Sequence, residues 1–217
     1  MKSFIFYGFI LLVLAFAPRD AAAQNASTEG VAPNTDLTKL KLDKPVVLSS
    51  NETFADSSNK WIAMSAEVHV ITDAPIDKLY AILHDIENQP KVFNKGLSVT
   101  KSAKIDSTGP DGTIATFTTT AVGQDTVYTA LVKENVNLPL SVFITLKQTE
   151  PNDQIRNLYA TWYLAEVTVS GAKYSYIRFY DSSEAAGGSL KKTAIGAGIN
   201  SAHTSSINQL IAGAKKL

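Results

Sequence analysis

Apolar and polar residues alternate from Trp61 to Val70, which is the periodicity of a β-strand with one face turned to a core. Residues 72–75 follow with a capping side chain and a proline, a common start of a helix. Apolar residues then recur at the spacing of one helical face: Ile76, Leu79, Tyr80 and Leu83. A second short helix is predicted over residues 87–93, where Pro90 interrupts the pattern.

The middle of the chain is predicted to consist of strands and turns. Segments of strand character lie at 97–105, 114–121, 126–133, 140–148, 156–169 and 174–181. The gaps between them are too short for parallel crossovers, so the pattern predicts an antiparallel sheet. Residues 189–216 contain no proline and carry one apolar stripe of helical spacing: Ile195, Ile199, Ala202, Ser206, Leu210 and Ala214. The fold class predicted from this order is α+β.

The two N-terminal segments differ from this domain of residues 60–217. Residues 1–23 have the features of a secretory signal peptide: a positive start at Lys2, an apolar stretch over 4–17, and small residues before Gln24. The apolar stretch is shorter than the roughly 20 residues of a spanning helix. We therefore expect cleavage, export and no stable membrane anchor afterwards.

Residues 24–59 are polar and lack a periodic apolar face. The segment is predicted to be a flexible leader, or a leader with one short strand at 45–48 docked on the edge of the domain. We expect its removal to change the stability of the domain little.

Composition excludes several kinds of chemistry. Lysine plus arginine (20) balances aspartate plus glutamate (20), so no basic field is available for nucleic acid. The chain has no cysteine and only three histidines, which are dispersed along the sequence. We therefore predict no disulfide, no metal and no cofactor. An exported protein without cysteine favours a bacterial periplasm as its location.

The order of elements resembles the START-like (SRPBCC) superfamily, the polyketide cyclase/dehydrase and lipid-transport group. The most specific local likeness is the segment 74–90, in which a small residue and a proline open an amphipathic helix, followed by Asp85 and then Pro90. The resemblance covers about residues 61–217. It implies a helix-grip fold, in which a curved antiparallel sheet wraps around a long C-terminal helix, with two short helices after the first strand. It also implies an apolar cavity that holds a lipid or another hydrophobic small molecule.

The resemblance suggests which side chains line this cavity. We expect the terminal helix to form the roof and the first helix to lie near one end, with these contacts: Ile195, Ile199, Ala202, Leu210, Leu79 and Leu83. His203 lies beside the apolar stripe, where an imidazole can orient a polar ligand group or act as a general base. The alternative is a histidine at the boundary of a buried face, satisfied by a backbone carbonyl or water.

Arg178 is a further candidate for the ligand cavity. It shares one strand face with three tyrosines: Tyr174, Tyr176 and Tyr180. Facing the cavity, Arg178 and Tyr176 can receive a carboxylate or phosphate head group. The opposite face carries Ile177 and Phe179 and is more apolar, which favours an outer position where the arginine lies over tyrosine rings exposed to water.

No motif in the sequence indicates a particular reaction. It contains neither the nucleophile elbow of hydrolases nor a complete dinucleotide fingerprint. We therefore expect non-covalent binding of a hydrophobic small molecule or lipid, as a carrier after export. Two alternatives stay open: an enzyme of the cyclase, dehydratase or hydrolase type on the same fold, and an interaction module with a filled core.

Overall fold

The computed structural model of this protein describes residues 28–33, 35–121 and 124–217. The predicted signal peptide at 1–23 lies outside these residues, as does its cleavage site. Within the described ranges, no helix is both long and apolar enough to cross a membrane.

The described part of the chain folds into one sheet and three α-helices. The strands are β1 (Val46–Phe54), β2 (Trp61–Thr72), β3 (Ser98–Gly109), β4 (Gly112–Ala121), β5 (Gln124–Asn137), β6 (Ser141–Gln148), β7 (Ile155–Val169) and β8 (Ala172–Ala186). The helices are α1 (Ile76–His84), α2 (Gln89–Val92) and α3 (Ser189–Ala214). Single 3-10 turns lie at Leu37–Lys39 and Ile86–Asn88. The predicted fold is confirmed: a large curved antiparallel sheet with a long C-terminal helix and two short helices after the first strand of the domain.

The strand order explains how the sheet surrounds the helix. The order is β1-β2-β8-β7-β6-β5-β4-β3, and every neighbouring pair is antiparallel. After β2, the helices α1 and α2 carry the chain to the opposite edge, where β3 begins. Successive hairpins then return to β8, which pairs with β2. The tight β7–β8 turn is formed by Ser170 and Gly171, whose positive φ values of 51° and 84° suit a type I′ hairpin.

The C-terminal half of α3 packs into the main core. Its buried side chains Ile207, Leu210 and Ile211 belong to the same cluster as the inward side chains of α1 and of the sheet. Each such aliphatic side chain contributes about 1.5–3 kcal/mol when fully buried. The two helices are in close contact, because a Cβ added to Gly213 would lie 2.9 Å from the Cδ1 atom of Ile82. This packing anchors one end of α3 and leaves its N-terminal half to cover the other end of the sheet.

The segment 24–59 makes more contacts than its composition predicts. β1 lies within it, is longer than the predicted strand at 45–48, and pairs with β2 over eight residue pairs. Earlier in the segment Ala32 is buried, and the Asp43 carboxylate accepts a hydrogen bond from Lys215 at the end of α3. These contacts depend on tertiary pairing, which an irregular apolar pattern does not reveal.

We predict that β1 is needed for full stability, contrary to the expectation from composition. A chain that begins at residue 55 should lose more than about 2 kcal/mol of unfolding free energy, because eight cross-strand pairs contribute about 0.2–1 kcal/mol each. The control is a chain that begins at residue 45 and keeps β1. Urea denaturation measures both, and equal stability of the two chains would contradict the prediction.

Candidate functional site

A cavity of about 300 Å³ lies between the N-terminal half of α3 and the inner face of the sheet. Its walls come from α3, from the segment between α1 and β3, and from inward side chains of six strands: β2, β3, β4, β5, β7 and β8, with Leu146 of β6 at the margin. The volume is at the lower end of the range for pockets that enclose small ligands. The cavity therefore has the size for one small molecule.

Strand alternation and helical periodicity bring the lining together. On β7 the residues Leu158, Ala160 and Trp162 point inward, and on β8 the inward positions run from Phe179 to Ala185 in steps of two. One face of α3 closes the cavity, at positions spaced by three or four residues: Lys191, Ala194, Ile195, Gly198, Ile199, Ala202, His203 and Ser206.

Aromatic rings form much of the apolar wall. Trp162 and Phe179 are direct neighbours across β7 and β8, and their rings stack with centroids 4.0 Å apart. Phe93 lies 6.4 Å from Trp162, while Phe117 and Tyr128 stack at 5.5 Å on β4 and β5. Trp162, Tyr128 and Phe179 are only half-buried although they lie under α3. Part of their surface is therefore open to the cavity and available to an apolar ligand.

A histidine and a carboxylate form one polar end of the cavity. The His203 Nδ1 atom lies 2.6 Å from the carbonyl oxygen of Ile199, and its Nε2 atom lies 2.7 Å from Oδ1 of Asp181. Both partners are acceptors, so both ring nitrogens donate and the imidazole is a cation. Burial alone would lower the pKa of His203, but the Asp181 charge and the two hydrogen bonds raise it to about 9.

Two polar groups in the cavity lining remain available for hydrogen bonds to a ligand. Within the described residues, neither the Oδ2 atom of Asp181 nor the hydroxyl of Tyr128 has a hydrogen-bond partner. Burial and, to a smaller extent, the charge of Asp181 raise the pKa of the Tyr128 phenol, so its hydroxyl stays protonated and can donate a hydrogen bond. Both residues line the cavity, so a ligand can reach their free acceptor and donor sites.

The structure brings most of the predicted lining residues to the cavity. Ile195, Ile199, Ala202, His203 and Leu83 all line it. The other two helix residues of the prediction, Leu79 and Leu210, are fully buried in the adjoining core and are not part of the lining. They lie where α1 and α3 contact each other, so no space is left for a ligand beside them.

Arg178 and Tyr176 lie on the opposite face of the sheet and are not part of the cavity. The outer position agrees with the alternation of β8, but neither side chain is exposed to water: Arg178 is 4% exposed and Tyr176 is fully buried. The guanidinium donates to Glu67 at 2.5 Å and to the carbonyl oxygen of Gly30 at 3.2 Å. The Tyr176 hydroxyl accepts a hydrogen bond from the Ala32 amide. The N-terminal segment covers this face. Both residues therefore contact other parts of the protein and do not make the predicted contact with a ligand.

Sequence reasoning missed the carboxylate of the polar end. Asp181 lies at the end of the predicted strand 174–181, two residues after Phe179 and therefore on the same face. Alternation places Asp181 on the same face as Ile177 and Phe179, but it does not by itself show that this face is the inner one. Tyr128 had a similar signal, since it alternates with exposed Val127 on β5. Its partner Phe117 comes from another strand, so only tertiary structure shows the stacked pair.

The described residues contain no group of three or more histidine, aspartate or glutamate side chains that could hold a metal ion. The lining of the cavity offers hydrogen-bonding groups, the His203–Asp181 pair, Lys191 and apolar surface.

Comparisons with known proteins show the fold. No protein-family model matches the sequence, and no curated protein matches it. Among solved structures, the ZhuI aromatase/cyclase from Streptomyces sp. R1128 is similar with a TM-score of 0.52 and 14% identity, over 71% of this chain and 94% of that chain. Human STARD10 is similar with a TM-score of 0.52 and 13% identity, over 77% of this chain and 73% of that chain. The chain has the START-like fold that the sequence predicts.

We predict that the charged His203 stabilises the folded state in a pH-dependent manner. Its folded pKa of about 9 lies above the ordinary value of 6.5, so the stabilisation is complete below pH 6.5 and is lost as the pH rises to about 9. The loss should amount to roughly 2–3 kcal/mol of unfolding free energy. His203→Gln, which cannot become charged, should not show this component. Urea denaturation from pH 6 to pH 9.5 measures the difference between the two proteins, and parallel pH curves would contradict the prediction.

Proposed function

We propose that this protein, with its START-like fold, binds one hydrophobic small molecule non-covalently between α3 and the sheet and acts as its carrier. The observation that supports this function is the cavity of about 300 Å³ with its wall of half-buried aromatic rings. An apolar molecule in water gains about 25 cal/mol per Å² of surface that it buries, and these rings provide surface for that purpose. The small volume favours a single-chain or ring-shaped ligand over a diacyl lipid.

The position of His203 favours binding over catalysis. A general base needs a free nitrogen within hydrogen-bond reach of the substrate. Both ring nitrogens of His203 are occupied, one by the Ile199 carbonyl and the other by Asp181. The imidazole therefore holds the carboxylate in place and balances its charge.

An enzyme on the same fold is the second candidate function. The free oxygen of Asp181 inside the cavity favours it, as does the similarity to a solved aromatase/cyclase. The two candidates differ in the fate of the ligand. A carrier releases its ligand unchanged, whereas an enzyme converts it during incubation, and mass spectrometry of the extracted molecule over time separates these results.

Cavity filling tests the binding function. We predict that Ala202→Phe, on the cavity face of α3, abolishes binding of the neutral fluorescent probe phenylnaphthylamine and removes the ligand that organic extraction yields from natively purified protein. Its stability should stay within about 1 kcal/mol of wild type, because the ring enters existing space, whereas overpacking of a solid core costs about 1–3 kcal/mol.

The matched control is Ala197→Phe, which places the same ring on the exposed face of the same helix. It should keep probe binding at the wild-type level. The carrier function would be refuted if Ala202→Phe destabilised the protein strongly while the wild type bound no probe and yielded no ligand. That result would support the interaction module with a filled core.

We also propose that the predicted signal peptide directs the carrier out of the cytoplasm, to a bacterial periplasm. The support is the sequence of residues 1–23, with small residues before Gln24. N-terminal sequencing of protein from the envelope fraction should then begin at Gln24. A retained Met1 on membrane-bound protein would contradict the proposal.

A further inference from the structure

We propose that the polar end of the cavity, formed by Asp181, His203 and Tyr128, selects hydrophobic ligands that carry a neutral hydrogen-bond donor such as a hydroxyl, and excludes carboxylates. This inference rests on the proposed binding function and specifies the class of its ligand. A hydroxylated ring or chain would be bound, while a fatty acid would not.

The free carboxylate oxygen determines what the ligand must supply. His203 occupies Oδ1 of Asp181, and Oδ2 has no partner among the described residues. The side chain of Asp181 is a quarter exposed, so water can hydrate this oxygen in the absence of a ligand, and a ligand that displaces the water without donating a hydrogen bond leaves the charged acceptor unsatisfied. A ligand hydroxyl that donates to Oδ2 restores the missing hydrogen bond. Tyr128 lines the same cavity, and its hydroxyl, which has no partner among the described residues, can donate to an oxygen of the ligand.

The charge balance of the site excludes an anionic head group. The imidazolium of His203 neutralises Asp181, so the pair has no net charge to offer a ligand. Both N–H groups of His203 are already used within the protein, and neither can donate to a ligand carboxylate. A second carboxylate beside Asp181 would be repelled by the oxygen that is left exposed.

The other cation in the cavity lining, Lys191, lies far along α3 from the end formed by His203 and Asp181. Lys191 donates to the carbonyl oxygen of Ala186 at 2.7 Å, and burial lowers its pKa. It lies twelve residues before His203 on α3, which corresponds to about 18 Å along the helix axis. The backbone positions of the two residues are therefore about three helical turns apart.

The apolar wall explains why the donor should be attached to a ring or a compact chain. The ring of Phe179 lies 5.5 Å from that of His203 and stacks on Trp162. The polar end therefore adjoins the aromatic surface directly, and a hydroxylated aromatic molecule can contact both at once.

Three matched compounds test the selection: naphthol, methoxynaphthalene and naphthoate. They share one ring system, and they present a hydroxyl donor, an ether without a donor, and a carboxylate. Displacement of phenylnaphthylamine at neutral pH measures their affinities. We expect naphthol to bind about tenfold or more tightly than methoxynaphthalene, which is the effect of one hydrogen bond to a charged acceptor. Naphthoate should bind most weakly.

Asp181→Asn provides the sharper test. The side-chain oxygen of the new amide would accept from His203, so its NH₂ group would replace the free acceptor with a donor. The preference for naphthol over methoxynaphthalene should disappear, and naphthoate should gain affinity relative to naphthol. Asp111→Asn, the same change in the exposed β3–β4 turn, is the control and should keep the wild-type order.

Tyr128→Phe keeps the ring and removes only the hydroxyl, so it tests the site even if Asp181→Asn does not fold. It should reduce the ratio of the naphthol affinity to the methoxynaphthalene affinity, both measured on the variant, several-fold relative to wild type. Equal affinities of the wild type for the three compounds, or tightest binding of naphthoate, would overturn the inference and leave the binding function standing. If the wild type bound neither the probe nor any of the compounds, the binding function itself would fail and this inference with it.

Discussion

The two halves of helix α3 make different contacts, and this packing determines where the cavity lies. The C-terminal half buries Ile207, Leu210 and Ile211 against α1 and the sheet, where no space for a ligand remains. The N-terminal half packs Ile195 and Ile199 against Ile62 and Ala66 of β2 and covers the rest of the inner face of the sheet. Beside these contacts the small residues Ala194 and Ala202 face the cavity. The cavity therefore lies beneath the N-terminal half of α3, beyond the closely packed contact with α1.

A charged pair inside such a cavity needs a physical explanation, because burial of two ions costs several kcal/mol per ion unless their hydrogen bonds are complete. His203 meets this condition, since each nitrogen has an acceptor. Asp181 meets it only in part. Asp181 lines the cavity, and only one of its two carboxylate oxygens accepts a hydrogen bond from His203. A bound molecule can donate a hydrogen bond to the other oxygen.

The outer face of the sheet carries a second charge pair, which the N-terminal segment covers. Arg178 is paired with Glu67 on the neighbouring strand and donates to the Gly30 carbonyl of the segment above it. His69 lies beside them, and burial lowers its pKa, which favours the neutral ring in contact with Tyr176. The N-terminal segment thus completes the structure of a face that would otherwise leave these side chains open to water.

Local periodicity was sufficient to predict the helices, the strands from Trp61 onward and the fold class, but not the extent of β1. The apolar stripe from Ile76 to Leu83 and the proline-free segment 189–216 each predict a helix. In both cases the spacing of the apolar residues identifies the buried face without knowledge of the element that packs against it. The START-like resemblance then predicted that Ile199 and His203 lie near a cavity, because their position on α3 follows from helical spacing. Only the tertiary structure decided which face of β8 is the inner one. That decision placed Asp181 in the cavity and Arg178 outside it, since alternation specifies which residues share a face, and the packing of α3 and the N-terminal segment determines what each face contacts.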